Sequence, residues 1–298
     1  MRWVAFLAFA VLAYGLAQGL YKQAELSAAQ FCVLFVLVKT LTNGGSWAVL
    51  SQGPVRQPGD RLFYAWALAG QILNGLGWIG YFLALSRGPA ALVGTITAAY
   101  TAVTVGLALI FLKERPTWLQ AMGVFILIVC GMALAYEPGD GARWGQGWLA
   151  LSLGTLLLWG TAVCIFKHAY RLPAADDARF FLTNWAGAAL TLLPYGLLHG
   201  GMAGLGPAAM GLGLLVVLLY ALGDLALFCA LRRGPAFLVA PLSGLYPLPT
   251  LVWAVLVLQE RISPLQGAAV ALTLAGIVLV AWPAEGRRAA PARRPDSG

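Results

Sequence analysis

Charge is what this sequence has least of. Only 10% of its 298 residues are Asp, Glu, Lys or Arg, against about 25% in a soluble domain. Such a chain cannot cover a water-facing surface with charge, which excludes an ordinary soluble globular protein. Cysteine is also sparse. Cys32, Cys130, Cys164 and Cys229 all fall inside apolar runs, at spacings that fit neither a zinc site nor a disulfide framework. Ten-residue segments of alternating polarity are missing, which excludes a membrane β-barrel. No G-x-x-x-x-G-K-[ST] loop is present, so ATP is not the direct energy source. H-E-x-x-H, G-x-S-x-G and Asp-rich metal clusters are absent as well, which weighs against an enzyme. No cofactor or metal is expected.

What is there is apolar. Hydrophobic residues make up 60% of the chain, and the mean hydropathy is +0.80. A helix needs ~20 mostly apolar residues to cross a bilayer core. Ten stretches qualify: 3–20, 28–50, 63–85, 89–112, 117–136, 146–166, 180–199, 209–231, 235–258 and 264–282. An open sheet would leave backbone groups unpaired in lipid. The fold class is therefore an all-α integral membrane protein with ten transmembrane helices. The first run lacks an A-x-A-like cleavage site and reads as the first span.

Basic residues set the expected orientation. With the N-terminus inside, all Lys and Arg face the cytoplasm except Lys22, Arg87, Arg143 and Arg261, as the positive-inside rule asks. Both termini are then cytoplasmic, in a multi-pass protein of the cell membrane. The net charge of +8 follows from topology and asks for no nucleic-acid partner. Its partners are a small-molecule substrate, membrane lipids and, through a buried carboxylate, coupling protons. The oligomeric state is not encoded legibly.

Two stretches repeat. "RGPAALVGTITAAY" at 87–100 returns as "RGPAFLVAPLSGLY" at 233–246. A constant offset of 146 also aligns Thr104 with Thr250, Glu114-Arg115 with Glu260-Arg261, Gln120 with Gln266, and "LNGLGWIGYF" (73–82) with "LYALGDLALF" (219–228). "YGLAQGLYKQA" (14–24) aligns with "WGTAVCIFKHA" (159–169). The chain is a duplication with five spans per half. Five is odd, so the halves enter the membrane from opposite sides and form inverted repeats, a recurrent plan of secondary transporters. The expected units are residues 1–142, residues 143–283, and a disordered basic tail, 284–298.

These motifs resemble the drug/metabolite transporter superfamily in its ten-helix EamA form. The resemblance rests on "ALSRGPAALVGTITAAY" and its repeat, on the "LKERPTWLQAMG" and "LQERISPLQGAA" junctions, and on the starts Tyr14-Gly15 and Trp159-Gly160. It implies a ten-helix bundle, a central cavity lined by spans 1, 3, 4, 6, 8 and 9, and export of small organic metabolites.

Helical spacing of polar and aromatic residues gives the candidate cavity. The third span places Asn74, Trp78 and Tyr81 on one face, and the eighth places Tyr220 and Asp224 at aligned positions. The fourth offers Thr97, Tyr100 and Thr104, and the ninth Ser243, Tyr246 and Thr250. The first offers Tyr14, Gln18 and Tyr21, and the sixth Trp159, Val163 and Phe166. The alternative is that hydroxyl stripes only glue helices together. The candidate substrate-binding set is Tyr14, Gln18, Asn74, Trp78, Tyr81, Thr97, Tyr100, Trp159, Tyr220, Asp224, Ser243 and Tyr246.

Asp224 is the sharpest residue, ~10 Å inside its span at 1.5 Å per residue. Three roles are open. It could hold an amine, helped by Trp78, Tyr100 or Tyr246. It could carry a proton. It could pair with a basic residue. Lys39 is expected to snorkel to the cytoplasmic interface from a helix ending near residue 38. Glu114-Arg115 and Glu260-Arg261 are expected as junction salt bridges, and Lys22 and Lys167 as scaffold anchors. Pro89 and Pro235 fit first helical turns. Pro241, Pro247 and Pro249 should bend the ninth span and leave the fourth straighter. The function expected is a secondary-active exporter of amphipathic metabolites such as amino acids or amines, working by alternating access. The alternatives are a channel or lipid-moving protein on the same bundle and, behind it, an intramembrane enzyme.

Overall fold

The computed structural model describes residues 2–21, 23–51, 60–111, 117–135, 147–233, 236–257, 259 and 264–281. Among them every regular element is an α-helix. They run α1 (Arg2–Tyr21), α2 (Ala28–Leu50), α3 (Asp60–Leu85), α4 (Ala90–Ala98), α5 (Tyr100–Phe111), α6 (Trp118–Ala135), α7 (Trp148–Tyr170), α8 (Asp177–Leu198), α9 (Pro207–Arg233), α10 (Ala236–Ser243), α11 (Pro247–Leu256) and α12 (Pro264–Ala281). Five of these are long and apolar enough to cross a membrane: Trp3–Tyr21, Ala28–Leu50, Asp60–Leu85, Trp148–Tyr170 and Pro207–Arg233. The junctions Glu114-Arg115 and Glu260-Arg261, Lys22, Pro235, the boundary at 142/143 and the 284–298 tail lie outside the described residues.

The polarity of the molecule runs inside out. Leu12, Leu41, Leu157, Leu190, Leu198 and Val252 are exposed, while Gln18, Lys39, Asn43, Gln71, Asn184 and Asp224 are buried. In water that arrangement would leave large apolar patches uncovered. In lipid it is favourable, since apolar side chains meet acyl chains and polar groups find partners inside.

α2 departs from expectation. Lys39, Asn43, Gly44 and Gly45 do not interrupt it, and it continues from Ala28 to Leu50. Its start is secured by a capping box. Ser27 Oγ accepts from the Gln30 N–H, and Gln30 Oε1 accepts from the Ser27 N–H, which satisfies two of the otherwise orphaned donors. Lys39 consequently lies eleven residues into a continuous helix, 1% exposed. It does not snorkel, because it has a partner within the bundle.

The broken spans also correct the sequence reading. The ninth is interrupted over residues 244–246, and α11 restarts with Pro247 at its first position, where the absent N–H costs no helical bond. The fourth is interrupted too, at the single residue Ala99, whose N–H turns back to the Ile96 and Thr97 carbonyls. No proline lies at that break. Thr97 Oγ1 bonds back to the Val93 carbonyl at 2.7 Å, a contact that bends helices. Pro89 is not in the first turn of α4 but is its N-cap, with extended backbone.

Helix packing follows a paired pattern. α1 lies along α9 and α3 along α7, α2 packs on α8 and α6 on α12, and α5 meets α7 as α11 meets α1. Two glycines permit the closest approaches. A Cβ on Gly15 would collide with Pro249 and lie 2.7 Å from the Tyr246 carbonyl. One on Gly160 would strike Val103 at 2.5 Å and lie 2.8 Å from the Tyr100 carbonyl. Small residues of this kind let helix backbones touch where lipid supplies no hydrophobic drive for association.

Candidate functional site

The long helices α1, α3, α7 and α9 and the two broken spans surround one cavity. Its walls carry Tyr14 from α1, Asn74, Trp78 and Tyr81 from α3, Tyr100 from α5, Trp159 from α7, Tyr220 and Asp224 from α9, Ser243 from α10, and Tyr246 at the α10–α11 break. These elements are the first, third, fourth, sixth, eighth and ninth spans. Val163, Phe166, Leu227, Phe228 and Leu231 extend the wall toward the C-termini of α7 and α9. The cavity has a volume of about 60 Å³.

Helical spacing brings the aromatics together. Trp78 is the hub. Its ring lies 4.9 Å from Tyr220, 5.0 Å from Trp159, 5.1 Å from Phe35 and 5.6 Å from Tyr81, each close to edge-on. Edge-to-face contacts of this kind add about 0.5–1.5 kcal/mol per pair beyond area burial. The Trp78 indole N–H is buried and has no partner among the described residues, so a donor is available to an occupant of the cavity.

Two hydrogen bonds knit the broken spans to each other. Tyr100 Oη and Ser243 Oγ lie 2.5 Å apart, and Tyr246 Oη and Thr97 Oγ1 lie 2.7 Å apart. At the offset of 146, Tyr100 corresponds to Tyr246 and Thr97 to Ser243, so the two bonds are reciprocal. A second reciprocal pair flanks them. Thr104 Oγ1 donates to the Gly160 carbonyl at 3.1 Å, and Thr250 Oγ1 donates to the Gly15 carbonyl at 3.1 Å.

Asp224 takes the third of its open roles. One carboxylate oxygen accepts from Tyr14 Oη at 2.7 Å, and the other forms an ion pair with Lys39 Nζ. Gly223 is what lets α9 come this near: a Cβ there would lie 2.7 Å from the Tyr14 ring. Lys39 also donates to Asn184 Oδ1 at 2.7 Å and lies 4.5 Å from the centre of the Phe35 ring. From Asn184 the network returns to the cavity. Its side-chain NH2 donates to Gln71 Oε1 at 2.8 Å, and the same oxygen accepts from Asn74 at 3.4 Å. Asn43 closes the far side, donating to Asn184 Oδ1 at 2.8 Å and to the Phe181 carbonyl at 3.1 Å.

Two sequence candidates stand behind the wall rather than on it. Gln18 is fully buried and accepts from Thr250 Oγ1 at 3.2 Å. Thr97 sits behind Tyr246, which it helps to hold. Tyr21 packs away from the cavity against Phe31 and Phe82.

Asp224's partner Lys39, and the Asn184, Asn43 and Gln71 side chains that continue the network behind it, lie on other helices, out of reach of span-by-span periodicity. Reading spans one at a time also missed two further buried carboxylates. Asp60 begins α3 and receives Arg179 Nη1 at 2.5 Å. Asp177 begins α8 and receives Arg233 at 2.6 Å and Arg232 at 3.1 Å. The signal was present, since an acid opening a helix complements its dipole, but the apolar-run boundaries left these residues in loops.

Fold and site together define a multi-pass helical membrane protein with an aromatic cavity at its centre. Residues 146–282 match the family model of the EamA-like transporter family. No curated protein matches the chain significantly. A solved crystal structure shares 18% sequence identity with it at a TM-score of 0.68, and the likeness covers 94% of this chain and 95% of the other. At that identity the likeness concerns the fold. The family match over the second half of the chain, together with the fold, supports membership of the drug/metabolite transporter superfamily.

Proposed function

We propose that this protein is a secondary-active transporter that exports small amphipathic metabolites, amino acids or amines, by alternating access through the cavity between two inverted five-helix repeats. One observation carries the reading: the reciprocal bonds Tyr100–Ser243 and Tyr246–Thr97 close the cavity with equivalent residues of the two halves. A contact in which i meets j′ and i′ meets j belongs to a two-fold relation. Halves related in this way can exchange conformations at similar energy, so a site between them faces each side in turn. The Thr104–Gly160 and Thr250–Gly15 bonds and the matched pairings α1 with α9 and α7 with α3 support the same relation. The aromatic walls suit an apolar body, and the polar groups Asp224, Asn74, Ser243 and the Trp78 N–H suit one polar end.

In this reading ten spans place both termini in the cytoplasm of the cell membrane. The salt-bridged ends of α3, α8 and α9 then lie on the inner side, and the cavity lies near mid-membrane. Counterflow in proteoliposomes with labelled amino acids and aromatic amines tests the proposal. Saturable, trans-stimulated uptake that Trp78→Ala diminishes supports it. Flux that neither saturates nor responds to trans substrate makes the protein a channel, and sealed vesicles with no flux refute transport of these solutes.

A further inference from the structure

Among the described residues Asp224 is the only charged one on the cavity wall, and its carboxylate is already occupied. Lys39 reaches it from α2, behind the wall residues. The Lys39 ammonium has the setting a cationic guest would find there: a carboxylate oxygen on Asp224, an amide oxygen on Asn184 and the face of Phe35. The pair is 1% and 3% exposed. Together the two charges sum to zero.

We propose that Lys39 is a tethered occupant of the cavity's cation subsite, so that the site rejects organic monocations and admits substrates of zero net charge. The proposal rests on the reading of the cavity as the substrate site, and it narrows that reading from amines toward zwitterions. The reason is electrostatic. An ammonium arriving alone at Asp224 must displace Lys39, leaving two positive charges and one negative in a low-dielectric interior, where an uncompensated charge is expensive. A zwitterion brings both partners. Its ammonium goes to Asp224, its carboxylate goes to Lys39, and the net buried charge is unchanged. Lys39 need not leave the bundle for this to happen. Asn184 already accepts from it, and Asn43 and Gln71 continue the polar harbour behind it.

Three probes share one skeleton and differ in charge: phenethylammonium, 3-phenylpropionate and phenylalanine. Their binding to the purified full chain in detergent, by titration calorimetry, is compared in the wild type, Lys39→Gln, Asp224→Asn and the double variant. Lys39→Gln is expected to bind phenethylammonium about tenfold or more tightly than the wild type does, as close charge pairing warrants. Asp224→Asn is expected to gain 3-phenylpropionate by a similar factor. The double variant should show neither gain. If Lys39→Gln does not fold, the Asp224→Asn arm reads the proposal alone. Equal binding of phenethylammonium by wild type and Lys39→Gln overturns it, as does a gain that survives in the double variant. Binding is read without transport, so the two readings fail separately. A charge-switched binding profile in a protein with no counterflow upholds this inference and removes the transporter reading. Counterflow with no switch does the reverse.

Discussion

Removing the Lys39 ammonium while leaving Asp224 in place should be among the costliest single changes in this protein. Lys39→Met deletes the ion pair, the bond to Asn184 and the contact with Phe35. What remains is a carboxylate 3% exposed, held among the described residues by Tyr14 Oη alone. Breaking a buried pair by removing one partner costs about 3–5 kcal/mol in soluble proteins. Inside a membrane bundle hydrogen bonds average nearer 0.6 kcal/mol, and a charged residue at the helix centre costs about 2.5–3.5 kcal/mol on insertion scales. The expected loss is therefore about 3 kcal/mol, the lower part of the range. Asp224→Leu, which strands Lys39 instead, should lose a similar amount. The double variant Lys39→Met/Asp224→Leu buries no charge and should lie within about 1 kcal/mol of the wild type. The double-mutant cycle then gives a coupling energy well above 2 kcal/mol, read from reversible unfolding in mixed micelles by tryptophan fluorescence. Additive single effects, or a double variant less stable than both singles, would show that the pair is not a coupled unit and refute the reasoning.

Other expectations follow from particular contacts. Gly15→Val and Gly160→Val should each lower the yield of folded protein sharply and by comparable amounts in size-exclusion profiles, because both side chains would run into backbone carbonyls at equivalent places. Tyr246→Phe leaves Thr97 short of one bond and should cost about 1 kcal/mol in the same unfolding assay. Arg179→Leu removes the cation paired with both Asp60 at the start of α3 and Asp176, and should lower thermal stability more than Arg232→Leu does. Arg179 and Asp60 are nearly buried, whereas Asp177 keeps Arg233 when Arg232 is lost. Gly223→Leu should displace Tyr14 and weaken phenylalanine binding, as measured by calorimetry, without destroying the helical circular dichroism signal.

Much of this molecule was settled by composition and period. Few charges and long apolar runs require helices in lipid, because no other open structure satisfies its own backbone there. The duplication named equivalent residues before any contact was known, and helical spacing put Tyr14, Trp78, Tyr81, Tyr100, Trp159, Tyr220, Asp224 and Tyr246 on faces that do converge on one cavity. Period tells which residues share a face. It does not tell which helix that face meets. Gln18 and Thr97 share faces with wall residues, yet Gln18 is packed against Gly94 and Thr250 and Thr97 against the Tyr246 hydroxyl, behind the wall. Lys39 was misread for the same reason. Alone on α2 it is a charge too costly to bury. Only the packing of α2 between α8 and α9 brings Asn184 and Asp224, residues distant in the chain, within hydrogen-bonding reach of its ammonium. The fate of a charge in a membrane depends on its partners, and partners are chosen by tertiary packing rather than by neighbours in sequence.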